Sequence, residues 1–297
     1  MFDSQHIRRS FGRAAEGYAD AADLQREVEG WLLESLMYLD DTVPATVLDL
    51  GSGPGHASVE MRKRWPKARI VAMDLALPML RRLDPRAGSG LAGGLGLRPG
   101  IDRVCGDAAA LPLADGSVDV LFSNLCLQWV EDLQAAFAGF RRVLRPGGLL
   151  LLSTFGHDTL HELRAAFAEA DEAPHVSPFT TIAGFGDALM HAGFRDPVID
   201  RDMLVRGHDD LPALMRELRA LGATNALDQR RRSLTGRTRF ARAAAAYEPL
   251  RMDNGRLPAS WEVITAMAWA PEPGAPTRVG GEEVISFPAN RIPVRKR

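Results

Sequence analysis

The chain has 297 residues, a length that suits one elaborated domain or two of ordinary size. Its 36 basic and 38 acidic side chains give a net charge of −2, which excludes a protein that attracts nucleic acid through a strongly basic overall field. Two cysteines exclude a disulfide framework, and no apolar run approaches the roughly 18 residues of a membrane span, so we expect a soluble, cytoplasmic protein.

The first 45 residues are predicted to form an N-terminal helical segment. Apolar residues recur there at helical spacing, first in residues 11–18 and again in residues 24–35. The run TVLDL, residues 46–50, then predicts a strand because it is short, apolar and β-branched. It stops at the glycine turn GSGPG, and residues 56–65 are predicted to be helical.

Strand and helix patterns alternate after this point. The further predicted strands are residues 69–73, 102–105, 118–124, 149–155, 197–205 and 261–269. Parallel neighbours need crossover connections, so strands that alternate with helices favour a parallel sheet. We therefore predict an α/β fold, a mostly parallel seven-stranded sheet with helices on both faces.

One domain with appended segments is favoured over two independent domains. We expect the sheet domain to span residues 46–270, with a helical lid inserted around residues 206–258. Six glycines in residues 87–100 predict a mobile surface insertion, since glycine disfavours both helix and strand. The Pro- and Gly-containing tail, residues 271–297, is predicted to be disordered.

The turn LDLGSGPG lies at the carboxyl end of the first predicted strand, where open α/β sheets bind ligands. Its glycines, Gly51, Gly53 and Gly55, follow the pattern GxGxG, whereas dinucleotide-binding turns have GxGxxG. Asp49 precedes them and would repel a pyrophosphate but attract an ammonium group. Asp74 ends the second predicted strand, at the spacing of an acid that binds ribose hydroxyls.

Further motifs follow the later strands. Asp107 comes after the third, where a carboxylate can accept a hydrogen bond from an adenine amino group, and Asn124 ends the fourth. With LDLGSGPG and the later LRPGG turn, they resemble the motifs of class I methyltransferases that depend on S-adenosylmethionine. The resemblance implies a Rossmann-like fold, S-adenosylmethionine as cofactor and no metal. It implies that the cofactor site consists of Tyr18, Gln25, Asp49, Gly51, Ser52, Gly53, Asp74, Leu75, Met79, Asp107, Ala108, Asn124 and Leu125.

The N-terminal string IRRSFGRAAEGYADAADLQ resembles that of the malonyl-acyl-carrier-protein O-methyltransferases of biotin synthesis. The resemblance continues through NLCLQWVEDL, TFGHDTLHEL, MRELRALGATN and GRLPASWEVI, so it covers residues 7–270. It implies methyl transfer to the free carboxylate of a malonyl thioester on acyl carrier protein. The resulting methyl ester primes pimeloyl synthesis for biotin.

Two other functions fit part of the sequence. GHDTLHELRAAF, PHVSPFT and GRLPASWEVI also resemble a mitochondrial complex I assembly factor of the same fold, which would bind the cofactor without transferring a methyl group. The second of these functions is methyl transfer to a small molecule such as a quinone precursor. The FGRAA segment favours the carrier-protein enzyme over both.

The predicted reaction asks for little acid–base chemistry, because a carboxylate is already ionised at neutral pH. We therefore expect no catalytic acid–base pair, and we expect Tyr18 and Trp129 to position the reacting groups as chamber walls. Arg216 and Arg219, three residues apart on one predicted helix, match basic positions of the family, which implies that they bind the substrate carboxylate, Arg216 foremost. The alternative for Tyr18 and Trp129 is that they are ordinary core residues. The alternative for the two arginines is that they lie on a solvent-exposed helix face.

Acyl carrier protein is strongly acidic, so the resemblance implies a basic docking surface. The candidate clusters are Arg8, Arg9 and Arg13, and then Arg230, Arg231, Arg232, Arg237, Arg239 and Arg242. Ordinary solvated faces are the alternative for both. No aromatic residues interleave with these arginines, which argues against nucleic acid as a partner. We expect a monomer with no membrane partner.

Overall fold

The structure, a computed structural model, describes residues 2–39, 42–88, 100–231, 236–272, 277–279 and 282–284. Its central sheet contains β1 (Thr46–Leu50), β2 (Arg69–Asp74), β3 (Asp102–Cys105), β4 (Val118–Ser123), β5 (Leu144–Phe155), β6 (Arg195–His208) and β7 (Leu257–Trp269). Their order across the sheet is β3-β2-β1-β4-β5-β7-β6. Strands far apart in the chain, such as β1 and β4, are therefore neighbours in space.

Strands β1 to β5 run parallel, and β7 runs antiparallel to β5 on one side and β6 on the other. One antiparallel strand in seven confirms the predicted mostly parallel sheet. In β1, Val47, Leu48 and Leu50 are at most 1% exposed, as expected for strands covered on both faces. The carboxyl ends of β1, β2 and β4 open at the same edge of the sheet.

Ten α-helices surround the sheet in the described part of the chain. They are α1 (Ser4–Ala14), α2 (Tyr18–Ala21), α3 (Asp23–Ser35), α4 (His56–Arg64), α5 (Leu77–Arg82), α6 (Leu133–Val143), α7 (His161–Ala168), α8 (Ile182–His191), α9 (Leu211–Ala220) and α10 (Arg237–Tyr247). Aspartates cap three of them: the side chains of Asp3, Asp132 and Asp210 accept backbone N–H groups at the starts of α1, α6 and α9. Such caps satisfy donors that have no partner within the helix.

The N-terminal segment divides into α1, α2 and α3, which are separated by a turn at residues 15–17 and by Ala22. The start of α1 is fixed to a distant part of the chain. The backbone N–H of Asp3 donates to Ala226 O at 2.8 Å, and the Asp3 carboxylate pairs with Arg230 at 2.8 Å. These contacts hold α1 against the connection between β6 and β7.

The connection between β6 and β7 contains α9, α10 and a short 3-10 helix, Glu248–Leu250. It coincides with the predicted insertion at residues 206–258, whose role as a lid stays a prediction. Ala243 and Tyr247 of α10 are fully buried in one apolar cluster with Leu163 of α7 and Trp261 of β7. Apolar packing therefore joins this connection to the sheet domain.

Three strands extend beyond their predicted bounds by more than one residue. β5 begins before Leu149, because Leu144 already pairs with Val118 and the RPGG turn forms an irregularity in the ladder, with Gly147 at φ 71°. β6 and β7 lengthen because they pair with each other from His208–Leu257 to Arg195–Trp269. The first and last residues of these strands are determined by pairing with a strand that is distant in the chain. A local sequence pattern does not show where such pairing begins or ends.

Two predicted segments are described only in part. Most of the glycine-rich insertion, residues 89–99, lies outside the described residues. Within the tail predicted to be disordered, Thr277–Val279 (β8) and Glu282–Val284 (β9) pair as antiparallel strands. The rest of the tail after residue 272 also lies outside the described residues. Among the helices described, none is long and apolar enough to cross a membrane.

Candidate active site

Four of the cavities that the described residues form lie in a row that begins at the carboxyl edge of the sheet. The turn cavity, about 100 Å³, is lined among others by Tyr18, Gln25, Glu29, Asp49, Ser52 and Asn124. The strand-tip cavity, about 100 Å³, is lined among others by Phe11, Asp74, Leu75, Asp107, Ala108 and Leu125. The apolar chamber, about 330 Å³, is lined among others by Phe155, Leu163, Phe167, Phe179, Arg231 and Trp261. The arginine groove, about 730 Å³, is lined among others by His6, Ser10, Arg13, Arg216, Gly222 and Thr224.

Shared residues place these cavities in a row. Gly51 lines both the turn cavity and the strand-tip cavity. Trp129 lines the strand-tip cavity and the apolar chamber. His6, Arg219 and Thr224 line the apolar chamber and the arginine groove. The row therefore leads from the glycine turn to the outer face between α1 and α9.

The glycine turn has the conformation that its sequence predicts. Gly51 and Gly53 have φ angles of +72° and +54°, a region that favours glycine. A Cβ atom on Gly51 would lie 2.5 Å from both the Cβ and the Sγ atom of Cys126. The N–H groups of Gly51 and Ser52 donate to Met73 O at 2.8 and 3.0 Å, which fixes the turn on β2.

Asp49 lies beneath the turn cavity and is only 2% exposed. Its carboxylate accepts a hydrogen bond from the Ser58 hydroxyl. Burial raises the pKa of Asp49 to about 7, and the nearby charge of Glu29 adds to the effect, while the Ser58 contact opposes it. An ionised Asp49 would thus be stabilised by a cation bound in the turn cavity.

Glu29 is a second carboxylate in the turn cavity, and the sequence analysis missed it. It contacts His56 Nδ1, and burial raises its pKa above the usual range. Glu29 lies one helical turn after Gln25 on α3, and this spacing was the sequence signal that could have identified it as a residue of the site. The turn cavity therefore has two acids, Asp49 and Glu29, that face the same space.

Two polar atoms of the turn cavity lack protein partners. Gln25 Oε1 and Ser52 Oγ are buried and make no hydrogen bond within the described part of the chain. Buried polar groups are nearly always hydrogen-bonded, so these atoms fit a polar ligand. Tyr18 lines the same cavity, and burial raises the pKa of its phenol, which keeps the hydroxyl protonated.

Asp74 projects from the end of β2 into the strand-tip cavity. Its Oδ2 accepts from Gly53 N at 2.9 Å and its Oδ1 from Ala76 N at 2.7 Å, and burial raises its pKa. Each carboxylate oxygen has a further lone pair for a ligand hydroxyl. Asp107 is exposed and accepts from Ala109 N at 2.9 Å, so it caps its own turn as well as lining the cavity.

The predicted cofactor residues occupy two neighbouring cavities, with one exception. Asn124 lines the turn cavity, and Leu75, Ala108 and Leu125 line the strand-tip cavity. Met79 lines neither of them: it is 1% exposed and packs in a small cluster with Ala15, Ala76 and Phe11 behind the wall. Met79 therefore supports the wall and does not face the cavity.

Asn124 and Leu125 join the sheet to α3. Asn124 Nδ2 donates to Gln25 O at 2.8 Å, and Ser153 Oγ donates to Asn124 Oδ1 at 2.8 Å. Leu125, at φ 46°, donates its N–H to Ser153 Oγ at 3.0 Å. Because both ends of the Asn124 amide are engaged, its side chain fixes the position of the wall.

Trp129 separates the strand-tip cavity from the apolar chamber. The edge of Phe11 packs against it, with ring centroids 5.4 Å apart and planes at 86°. This geometry suits an aromatic pair. An aromatic wall thus stands where the two cavities meet.

The apolar chamber holds three arginines among aromatic and aliphatic walls. Arg230 pairs with Asp3 at 2.8 Å, and Arg231 pairs with Asp171 at 3.1 Å. Arg219 has no acidic partner within the described residues and is left as the available cation. An anionic ligand in the chamber would therefore pair with Arg219.

The two arginines predicted to bind the carboxylate occupy different places. Arg219 lines the chamber and the groove, whereas Arg216 lines only the groove. The Arg216 side chain is 67% exposed and lies 4.0 Å from Asp210. Of this pair, the structure brings Arg219 and not Arg216 to the chamber.

Metal-ligand geometry and thiol reactivity are both limited among the described residues. No group of three His, Cys, Asp or Glu side chains among them is arranged to hold a metal ion. Cys126 faces Gly51, and burial raises the pKa of its thiol to about 12, so it stays protonated and weakly nucleophilic.

The polar groups present fit S-adenosylmethionine. Asp49, Glu29, Gln25 and Ser52 suit the ammonium and the polar tail of an amino acid, and Asp74 suits a ribose. The carboxylates also suit the positive sulfonium of this cofactor. The first two cavities can therefore hold one extended ligand across Gly51.

Comparison with known proteins agrees with this geometry. A family model described as a methyltransferase domain matches residues 48–152. A malonyl-acyl-carrier-protein O-methyltransferase from Xylella fastidiosa (strain M23) is 57% identical over 297 residues, which cover 100% of this chain and 98% of that protein. A protein of the same name from Gallionella capsiferriformans (strain ES-2) is 42% identical over 275 residues, 92% of this chain and 93% of its own length.

The fold is also similar to that of solved structures. The crystal structure of the YcgJ protein from Bacillus subtilis superposes with a TM-score of 0.54 at 16% identity, covering 82% of this chain and 99% of that one. At this identity, the similarity concerns the fold alone. The relatives above decide the family: the chain belongs to the malonyl-acyl-carrier-protein O-methyltransferases, within the class I methyltransferase superfamily.

Proposed function

We propose that this protein transfers a methyl group from S-adenosylmethionine to the free carboxylate of a malonyl thioester on acyl carrier protein. The observation that carries the proposal is the contact between two acid-lined cavities and an apolar chamber that contains the available cation of Arg219. The names of the relatives support a carrier-protein substrate. The products are S-adenosylhomocysteine, which is left when the methyl–sulfur bond breaks, and a malonyl methyl ester, the primer for biotin synthesis that the family resemblance implies.

Asp49, Glu29 and Asp74 would hold the cofactor. Bound S-adenosylmethionine supplies a methyl carbon that its sulfonium has already activated. Asp49 and Glu29 would pair with the ammonium of the amino-acid tail, and Asp74 would accept the ribose hydroxyls. Asp107 and Ala108, at the far wall of the strand-tip cavity, would border the adenine.

Arg219 would orient the substrate carboxylate in the chamber. Its guanidinium can donate two parallel hydrogen bonds to a carboxylate, which restricts the angle of attack on the methyl carbon. Because the carboxylate is already ionised, positioning and exclusion of water suffice and no general base is needed. Methylation removes the negative charge, so the ester loses its attraction to Arg219 and can leave.

Trp129 and Tyr18 would form the walls of the methyl-transfer chamber. Trp129 stands between the cofactor and substrate sides, where the two reacting groups must meet. Tyr18 closes the turn cavity from α2. Aromatic faces attract a sulfonium cation and keep water away from it.

The relatives do not favour the two alternatives. Both curated proteins described above are named for the malonyl carrier-protein reaction, and not for complex I assembly or quinone methylation. The lining of the chamber supports the same function, because Arg219 suits an acidic acyl group better than a neutral aromatic ring.

Incubation with labelled S-adenosylmethionine and malonyl-acyl carrier protein tests the proposal. We expect a base-labile methyl ester on the carrier protein, and no label on acetyl-acyl carrier protein, which lacks the carboxylate. Binding of the cofactor without ester formation would contradict the proposed reaction and favour a binding or assembly role. The matching test in cells is growth without biotin of a strain that lacks its own carrier-protein methyltransferase.

A further inference from the structure

The arginine groove is a separate feature at the outer end of the row of cavities, and the proposed methyl transfer does not by itself explain it. Arg13 of α1 and Arg216 of α9 line it, together with Arg219 where it meets the chamber. Among the described residues that line the groove, none is acidic. The groove is therefore suited to an anion, although the whole chain has a net charge of −2.

The charges of the groove are available to a ligand. Arg13 makes a 3.5 Å contact with Ser10 Oγ, and Arg216 has Asp210 only at 4.0 Å. Arg230 and Arg231, deeper in the protein, lie within 3.1 Å of their acids. The outer arginines are therefore much less neutralised than the inner ones.

The floor of the groove consists of small residues. Gly222 has a φ of +73°, and a Cβ atom there would lie 3.1 Å from Phe11 Cα and from Ser10 O. The end of α9 thus approaches the backbone of α1 closely. Ala14 and Gly17 continue this floor. A slender flexible chain can lie along such a floor, because no bulky side chain covers it.

The passage from the groove to the chamber is polar but carries little charge besides Arg219. His6 Nε2 lies 3.2 Å from Thr224 Oγ1, and Ser10 Oγ lies 3.0 Å from the same hydroxyl. Burial lowers the pKa of His6, and the charge of Arg230 adds to this, so its imidazole is neutral near pH 7. Imidazole and hydroxyl groups can exchange hydrogen bonds with amides.

We propose that the arginine groove binds the phosphate of a 4′-phosphopantetheine arm, with Arg13 and Arg216 as donors. The arm then passes His6 and Thr224, where its amides find hydrogen-bonding groups, and presents its thioester-linked acyl group in the apolar chamber. This inference rests on the proposed function, which supplies a carrier-bound thioester. It assigns Arg216 to the phosphate and leaves the acyl carboxylate to Arg219.

The first test measures binding of 4′-phosphopantetheine and of pantetheine to the full chain by calorimetry, with S-adenosylhomocysteine present. We expect the phosphate to tighten binding about tenfold in the unaltered protein, as one charge-assisted hydrogen-bonded pair does. The Arg13→Ala/Arg216→Ala variant should lose this difference. Equal binding of the two ligands to the unaltered protein, including no binding of either, would overturn the inference without any variant.

The matched control is Arg81→Ala/Arg195→Ala, which removes the same charge from exposed positions on α5 and β6 outside the four cavities. It should keep the preference for the phosphate. An equal loss of this preference in the control variant would show that the net charge of the protein, and not the groove, causes the preference. That result would contradict the inference. Thermal unfolding of both variants checks that the fold is retained.

The second test uses malonyl-acyl carrier protein as substrate. The Arg13→Ala/Arg216→Ala variant should raise KM about tenfold with little change in kcat, because the phosphate contact lies away from the reacting carbon. Failure of the unaltered protein to form any methyl ester would refute the proposed function. Ester formation with an unchanged KM in the variant would refute only the groove assignment.

Discussion

The two sides of the active site differ in charge and in how the chain builds them. The turn and strand-tip cavities contain Asp49, Glu29 and Asp74, whereas the chamber and the groove contain arginines. The acidic side lies over the ends of consecutive parallel strands. The basic side brings α1 and α7 together with a third segment, α9 and residues 223–231, and these three segments are far apart in the chain.

This contrast shows how a nearly neutral protein can bind two ligands of opposite charge. Carboxylates in small buried cavities suit a cationic cofactor, and arginines in a wider chamber suit an anionic acyl group. Trp129 lines both the strand-tip cavity and the chamber, at the boundary between the two sides. Substitutions on one side should therefore leave binding on the other side largely intact.

The largest effect is expected for Asp74→Ala. It removes the carboxylate that we propose binds the ribose, together with the contacts to Gly53 and Ala76, so affinity for S-adenosylhomocysteine should fall about a hundredfold. Calorimetry measures this, with Asp187→Ala on the exposed face of α8 as the control. An unchanged affinity would remove Asp74 from the cofactor site.

Arg219→Ala should affect the opposite side. Loss of the cation in the chamber should lower kcat/KM for malonyl-acyl carrier protein about thirtyfold and leave cofactor affinity unchanged. Arg216→Ala is the matched comparison on the same helix and should have the smaller effect. If Arg216→Ala proved more damaging, or if both reduced cofactor binding, the division between the two sides would be wrong.

Cofactor binding should depend on pH through Asp49. Its pKa is raised to about 7 by burial, and pairing with an ammonium favours the ionised form, so affinity should rise about tenfold from pH 6 to pH 8. The same shift makes the ligand-free protein less stable as the pH rises from about 4 to about 7. Asp49→Asn should flatten both profiles, measured by calorimetry and thermal unfolding. A steep binding profile in that variant would assign the titration to another group.

The smallest effect is expected for Trp129→Phe. This residue borders both sides, so the substitution should weaken cofactor binding and raise the acyl KM together, each about twofold, because an aromatic face remains. Steady-state kinetics with both substrates varied separates the two constants. A change in one constant alone would place Trp129 on a single side.

The acidic side was largely predictable from the sequence. Gly51, Asp49 and Asp74 lie within one β-turn-α-β unit, where strand ends and turn conformations constrain neighbouring residues directly. Asn124, which the same motifs predicted as a cofactor-site residue, lines the turn cavity. Glu29 was missed, because it reaches the turn cavity through the packing of α3 against the glycine turn, which no motif records.

The basic side was predicted only in outline. Arg216 and Arg219 lie on one helix, and their spacing alone gave no reason to separate them. The tertiary structure separates them: Arg219 lines both the chamber and the groove, whereas Arg216 lines only the groove.

The sequence by itself determined the α/β sheet, the glycine turn and the acids beside it, because short-range patterns encode strands, helices and the turns between them. Tertiary structure alone decided the row of cavities, the boundary at Trp129 and which arginines remain available. Ion pairs such as Arg231 with Asp171 join residues far apart in the chain. The charge left for a substrate therefore depends on contacts that form only when the chain is folded.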